Sequence, residues 1–281
     1  MANIAIVTDT SSDLLPEQAQ AAGIRLVPLT VSFGDETFEA ITELTNEQFY
    51  EKLTAPGAPL PKTAAPNPAA FEACFREALE AGADGVVCVT ISEKLSATYS
   101  SAVQGAASLE QGQVEVIDSM TTTHALAMIV TLAAELARGS ATQAEVVARV
   151  RDLILRSDII FVVDTLEYLQ KGGRIGRASA LLGTALSIKP ILHVEDGAVS
   201  TADRRRTAAK ARARLLDLVT ERPLERATLV HTTGVDLDTL RDDVATATGL
   251  DTDHLTVGLT GPVAGTHVGP GMYGVAFITT A

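Results

Sequence analysis

Short apolar runs rich in valine and isoleucine alternate with helix-like stretches along most of this chain. The runs at 4–7, 86–91 and 114–117 are too short for helices and end in polar turns. Helical patterns fill 16–22, 46–54, 69–81 and 97–108, and two more follow at about 121–137 and 142–156. Strand, helix, strand order predicts an open, mostly parallel sheet with helices on both faces. Locally, Ser12 or Asp13 is placed to cap the helix at 16–22, and Gly23 to stop it. Asn67 caps the helix at 69–81. The stretch 24–33 reads as one strand, and 55–68 as a Pro- and Ala-rich loop with Lys62-Thr63 as its polar centre.

After Ser157 the pattern restarts. A strand at 159–164 leads into glycine-rich turns. Then come a strand at 188–194, a hairpin at Glu195-Asp196-Gly197-Ala198 and a basic helix over 207–220. A strand at 228–232, a helix at 236–248 and strands at 255–258 and 275–279 complete it. The expected fold is therefore α/β: an N-terminal α/β domain over 1–156 and a second α/β (α+β) domain over 157–281. No low-complexity linker separates them, so the boundary is soft, and there is no internal repeat.

With 281 residues, 46% of them hydrophobic, the chain can build a sizeable core. A net charge of −13 argues against nucleic acid as a partner. Cys74 and Cys88 stand apart, and Cys88 lies within an apolar run, which suits a buried thiol rather than a disulfide framework. The start of the chain has no basic segment and reads as a strand, not a signal peptide. The apolar stretch 125–137 is too short to cross a bilayer and fits a core helix. A cytoplasmic protein without an integral membrane segment is expected. His124, His193, His231, His254 and His267 lack metal-ligand spacing, so no metal is expected.

The densest chemical signal is the stretch 261–274, where His267 sits among glycines and two prolines. Gly269, Gly271 and Gly274 match G-x-G-x-x-G, but a strand-like run follows them, and a dinucleotide fingerprint requires a helix there. In the first half, strands end in hydroxyl-rich turns at Thr8–Asp13, Ser92–Thr98 and Asp118-Ser119. Ligands of open α/β sheets bind at such carboxyl ends. Ser96 can cap the following helix or donate to a bound anion. Thr63 in its Pro-rich loop, Ser96 at a helix start and His267 in a Gly/Pro loop form an uncharged donor set suited to one carboxylate. Thr266, beside His267, joins the ligand-binding candidates.

Seven short stretches carry a resemblance. They are Val7-Thr8-Asp9-Thr10-Ser11-Ser12-Asp13-Leu14, Lys62-Thr63-Ala64-Ala65-Pro66, Ser92 to Ala102, Val116-Ile117-Asp118-Ser119, Leu169-Gln170-Lys171-Gly172-Gly173-Arg174-Ile175, Lys189-Pro190-Ile191-Leu192 and Gly265 to Gly271. In this order the chain resembles the DegV family of bacterial fatty-acid-binding proteins. The resemblance implies two α/β domains with a long-chain fatty acid buried between them. It implies that hydroxyls at the positions of Thr63 and Ser96 hold the carboxylate, with His267 nearby. It also implies a non-catalytic role, in which a separate fatty acid kinase phosphorylates the bound acid with ATP and the product feeds lipid synthesis. No cofactor is implied. Two departures stand out: Ala64-Ala65 replaces the usual Ser-Gln, and Ala97 replaces the usual Gly.

Basic residues cluster at Lys171, Arg174 and Arg177, and at Arg204-Arg205-Arg206 with Lys210, Arg212 and Arg214. The second group fits a solvated helix face. Arg174, in a family stretch, is the expected contact for the kinase. The alternative reading is a serine hydrolase of acyl esters using Ser96 and His267, with Asp9 or Asp118 as third member. No G-x-S-x-G elbow supports it.

Overall fold

A computed structural model describes residues 2–182, 188–251 and 254–281. Strand β1 (Ile4–Asp9) leads through a 3-10 turn at Thr10–Ser12 into α1 (Pro16–Ala22) and β2 (Ile24–Val27). Next come β3 (Thr30–Phe33), β4 (Glu36–Glu39), α2 (Asn46–Thr54), β5 (Lys62–Ala64) and α3 (Pro68–Glu80). Then follow β6 (Gly85–Thr90), α4 (Thr98–Ala106), β7 (Val114–Asp118), α5 (Thr123–Arg138) and α6 (Gln143–Arg156). These segments build a parallel sheet in the order β2-β1-β6-β7. Period-two alternation decides its two faces. Ile4, Ile6, Val87 and Val89 pack with Leu126 and Ile129 of α5 and Val146 and Val150 of α6. Val7, Val86 and the buried Cys88 pack with Phe71 and Phe75 of α3 and Ala102 of α4 on the other side. Helices cover both faces, as the alternation of elements predicted.

The later chain adds β8 (Ser157–Val162), α7 (Glu167–Lys171), β9 (Lys189–Glu195), β10 (Ala198–Arg205) and α8 (Ala208–Val219). It continues with β11 (Leu224–His231), α9 (Leu237–Thr248), β12 (Leu255–Leu259), α10 (Pro262–Val268) and β13 (Tyr273–Thr279). The order is β10-β9-β8-β13-β11-β12, antiparallel except for β11 and β12. Asp196 and Gly197 both take positive φ and make the expected tight hairpin between β9 and β10. Helices α8 and α9 cover the outer face of this sheet. Its inner face, with Ile159, Phe161 and Leu192, packs toward Ala125 of α5 and Val268 of α10.

Several local expectations are corrected. The stretch 24–33 is two strands in two sheets: β2 joins the parallel sheet, while β3 joins a third one, β4-β3-β5. Pro28 supplies no N–H for a continuous ladder. Thr63 lies on β5, not in a loop, because β3 pairs with it. Neither Ser12 nor Asp13 caps α1; they are buried in the preceding turn, and the Gln18 side chain accepts the Leu15 N–H instead. The glycine-rich region after β8 includes the short helix α7, and 183–187 of it lies outside the described residues. Arg204 and Arg205 belong to β10 rather than to a helix, and Arg205 and Arg214 both pair with Asp203. Asn67 caps α3 as expected, its side chain accepting the Ala70 N–H at 2.8 Å.

Candidate functional site

The two large sheets do not meet face to face everywhere. Between them lies a narrow cavity of about 70 Å³. Ile91, Leu95 and Ser96 enter it from the carboxyl end of β6, and Thr122 and Thr123 from that of β7. Ile159, Phe161 and Val199 enter from the inner face of the second sheet. Leu29 and Thr63 come from the small sheet side, and Val263, Ala264, His267 and Val268 from one face of α10. The wall is mainly apolar, with its polar groups gathered at a few points.

One of those points joins residues 204 positions apart. The Thr63 hydroxyl and the His267 Nε2 lie 3.0 Å apart in a hydrogen bond. Strand β5 presents Thr63 between Lys62 and Ala64, which both face solvent. His267 stands on a helix, not on the loop its glycines suggested. Pro262 starts that helix at its first position, where a missing N–H costs nothing. Gly265 lets it lie close to α2, since a Cβ there would fall 2.7 Å from the Phe49 ring. Gly269, at φ 71°, ends it.

His267 is half-buried, and desolvation of its ring pushes its pKa down to about 4, with the positive charge of Arg174 adding to the effect. It is therefore neutral at pH 7. Nδ1 has no hydrogen-bond partner among the described residues, and the ring packs against Gly172, where a Cβ would lie 2.2 Å from Nδ1. With Nδ1 unpartnered, the tautomer that keeps the ring's one N–H hydrogen-bonded carries its proton on Nε2. Nε2–H then donates to Thr63, leaving the Thr63 hydroxyl proton free to donate into the cavity.

Ser96 precedes α4. Its hydroxyl bonds that of Thr98 at 2.8 Å and accepts the Thr98 N–H at 3.4 Å. Ala97 sits at φ −71°, so its methyl adds no backbone strain where the family usually has glycine. Ala64 is exposed on the strand face opposite Thr63 and does not line the cavity. Arg174 does line it. Its Nε donates to Leu95 O at 3.1 Å and one Nη to Gly172 O at 2.8 Å, tying the Ser96 turn to the turn beneath His267. The expectation of a wholly uncharged donor set is thereby corrected: one guanidinium shares the wall. Thr266 is buried and its hydroxyl donates to Pro262 O at 2.8 Å, within its own helix and away from the cavity lining.

A hydrolytic triad is not assembled. Ser96 bonds Thr98 rather than His267. Asp9 accepts from Ser11 and the Ile91 amide, and Asp118 from the Met120 and Glu93 amides. Neither carboxylate orients an imidazole. Among the described residues no group of three or more His, Cys, Asp or Glu could hold a metal ion. No helix among them is long and apolar enough to cross a membrane. Sequence reasoning passed over Thr122, Thr123 and Thr260 as cavity residues. The signal was present: Thr121-Thr122-Thr123 follows the Asp118-Ser119 turn, and Thr260 directly precedes Gly261-Pro262.

Comparison with known proteins gives a consistent picture. Residues 3–280 match the family described as "Uncharacterised protein, DegV family". A DegV domain-containing protein of Deinococcus radiodurans is 38% identical over 280 residues, covering 98% of both chains. Among solved structures, a DegV family protein from Thermus thermophilus, described as fatty-acid binding, is 35% identical with a TM-score of 0.91, covering 99% of this chain and 100% of that one. DegV of Bacillus subtilis, described as a fatty acid binding protein, is 28% identical with a TM-score of 0.87 over the full length of both.

Proposed function

We propose that this chain, which belongs to the DegV family, holds a long-chain fatty acid in the apolar cavity between its two large sheets. The carrying observation is that this greasy space has the hydrogen-bonded Thr63–His267 pair on its wall. Burying an acyl chain of about 15 methylenes gains on the order of 12 kcal/mol before association costs. The carboxylate need not supply most of the affinity. It must only avoid burial without partners, which costs several kcal/mol. Thr63 and Ser96 are the proposed hydroxyl donors. The neutral His267 fixes the Thr63 hydroxyl by donating to it, and Arg174 contributes positive charge beside the head group.

The protein acts as a non-catalytic carrier in this reading. In the cytoplasm it presents the acid to a separate fatty acid kinase, which moves the terminal phosphate of ATP onto a carboxylate oxygen and releases ADP. Arg174 is the proposed kinase contact, being half-exposed beside the exposed Lys171 and Gly173. Support for the kinase step comes from family resemblance together with this placement.

Denaturing lipid extraction of purified protein tests the binding claim. A co-purified long-chain acid is expected at close to one per chain. The absence of both a co-purified acid and any uptake of added palmitate or oleate would overturn it. For the second claim, acyl phosphate should form from the loaded protein, ATP and the kinase, and Arg174→Ala should slow that step. Ester hydrolysis abolished by Ser96→Ala would instead establish a hydrolase.

A further inference from the structure

A second cleft, more polar than the first, lies on the other side of the α5 N-terminus. Asp13, Asn46 and His124 line it, with Glu17 and Glu47 at its exposed rim. Asp13 is 2% exposed and Asn46 is 6% exposed. Neither Asp13 oxygen has a hydrogen-bond partner among the described residues, although the Gly261 amide lies close enough to temper the effect of burial. Asn46 Nδ2 donates to Leu259 O at 3.2 Å, which leaves Oδ1 as its unpartnered end. Asp13 Oδ1 and Asn46 Oδ1 converge on Gly261, where a Cβ would lie 2.5 and 3.2 Å from them. His124 Nε2 is also unpartnered and stands 4.0 Å from Asp13 Oδ2.

Buried polar groups are almost always paired, so several unpaired acceptors in one place call for a specific occupant. Burial with no cation beside it pushes the Asp13 carboxyl well above the usual carboxylate range, so the deficit here is of donors and of the positive charge that would hold it ionised. No lysine or arginine forms an ion pair with Asp13 among the described residues. His124 is the nearest ionisable nitrogen, and burial keeps it neutral at pH 7. The other basic side chains that face the cleft are engaged elsewhere: Arg226 with Glu135 at 3.7 Å and His254 with Asp251 at 2.7 Å. A single carboxylate with an amide oxygen and an imidazole is a poor site for calcium, which takes six to eight oxygens. An –NH₃⁺ group fits better, because it offers three donors and one charge to a carboxylate, an amide oxygen and a ring lone pair.

We propose that the Asp13–Asn46–His124 centre binds a small primary ammonium cation, either ammonium itself or the amine of a compact organic molecule, in a site separate from the acyl cavity. The acidic rim and the net charge of −13 favour entry of cations.

The wild-type protein, prepared without ammonium or Tris, is titrated with methylammonium chloride and, at equal ionic strength, with tetramethylammonium chloride, which has no N–H. A rise in Tm that grows with the logarithm of concentration and reaches about 5 °C at 100-fold excess over Kd is expected for the first salt, and none for the second. Asp13→Asn should abolish the difference. Asparagine tolerates the left-handed backbone of Asp13, at φ 60°. Equal responses to the two salts, or a response retained in Asp13→Asn, would overturn the site. Should that variant fail to fold, NMR of the wild-type protein with ¹⁵N-ammonium decides. One protected ammonium signal per chain, displaced by methylammonium, supports the site, and its absence removes it. Fatty acid content enters neither readout, so this site and the acyl cavity stand or fall separately.

Discussion

Two imidazoles in this protein are held near pKa 4 by burial, yet they keep different company. His267 leans on a hydroxyl and faces an apolar cavity beside a guanidinium. His124 stands 4.0 Å from a buried carboxyl group in a cleft of mixed polar and apolar lining. A depressed histidine pKa by itself therefore says little about function. What distinguishes the two sites is the donor and acceptor balance around each ring: the first has protons to give to an anion, and the second has lone pairs awaiting a cation.

The largest effect that tests this contrast concerns acid retention. Thr63→Val with Ser96→Ala removes two donors, each worth about 1.5–3 kcal/mol to a charged partner. Affinity for palmitate should fall on the order of 100-fold or more, measured by calorimetry. His124→Gln should leave it unchanged, and a comparable loss there would erase the distinction between the clefts.

A second effect is pH dependence. Each ring is neutral in the folded state at pH values where the unfolded chain binds a proton. Its stabilising contribution is present above pH 6.5 and is lost as pH falls toward 4, by about 3 kcal/mol per ring. Asp9 and Asp13, whose carboxyls burial pushes up, act in the opposite sense, since their protonation favours the folded state. Urea denaturation at pH 7 and pH 4.5 should show a smaller difference for His267→Gln than for wild type. An unchanged difference would mean that His267 is not held neutral.

Paired glycine substitutions sharpen the comparison further. A methyl at Gly172 would meet His267 Nδ1 at 2.2 Å, and one at Gly258 would meet the His124 ring at 2.3 Å. Both changes should cost about 1–3 kcal/mol of stability. Only Gly172→Ala should also weaken fatty acid binding, as a fluorescent acid displacement assay would reveal. The smallest effect belongs to Arg177→Ala. Its partners Glu195 and Asp196 are exposed, so stability should change by less than about 1 kcal/mol.

Much of this organisation was legible in the chain. Alternating apolar runs declared the parallel sheet, because strands buried on both faces need continuous valine and isoleucine. Thr63, Ser96 and His267 could be named because small residues and hydroxyls at strand ends are poor core material. Their mutual geometry was not legible. The strand at Thr63 exists only because β3, thirty residues earlier, pairs with it. The helix at His267 was masked by its own glycines, which serve close packing against Phe49 and Tyr50 rather than a flexible loop. Asp13 looked like a helix cap because that is what aspartate before a proline usually is. Its burial against Gly261 is a contact across nearly the whole chain, and local pattern carries no record of it.

Strand β13 lies between β8 and β11 in the second sheet, although it is made after both. During synthesis those two neighbours have no partner to bridge them until β13 emerges. The α10 helix, just before β13, brings His267 to the cavity in the same final interval. Contacts of such long sequence separation slow folding. A nascent chain should therefore lack both a closed sheet and a place for lipid until its last turn and strand have left the ribosome.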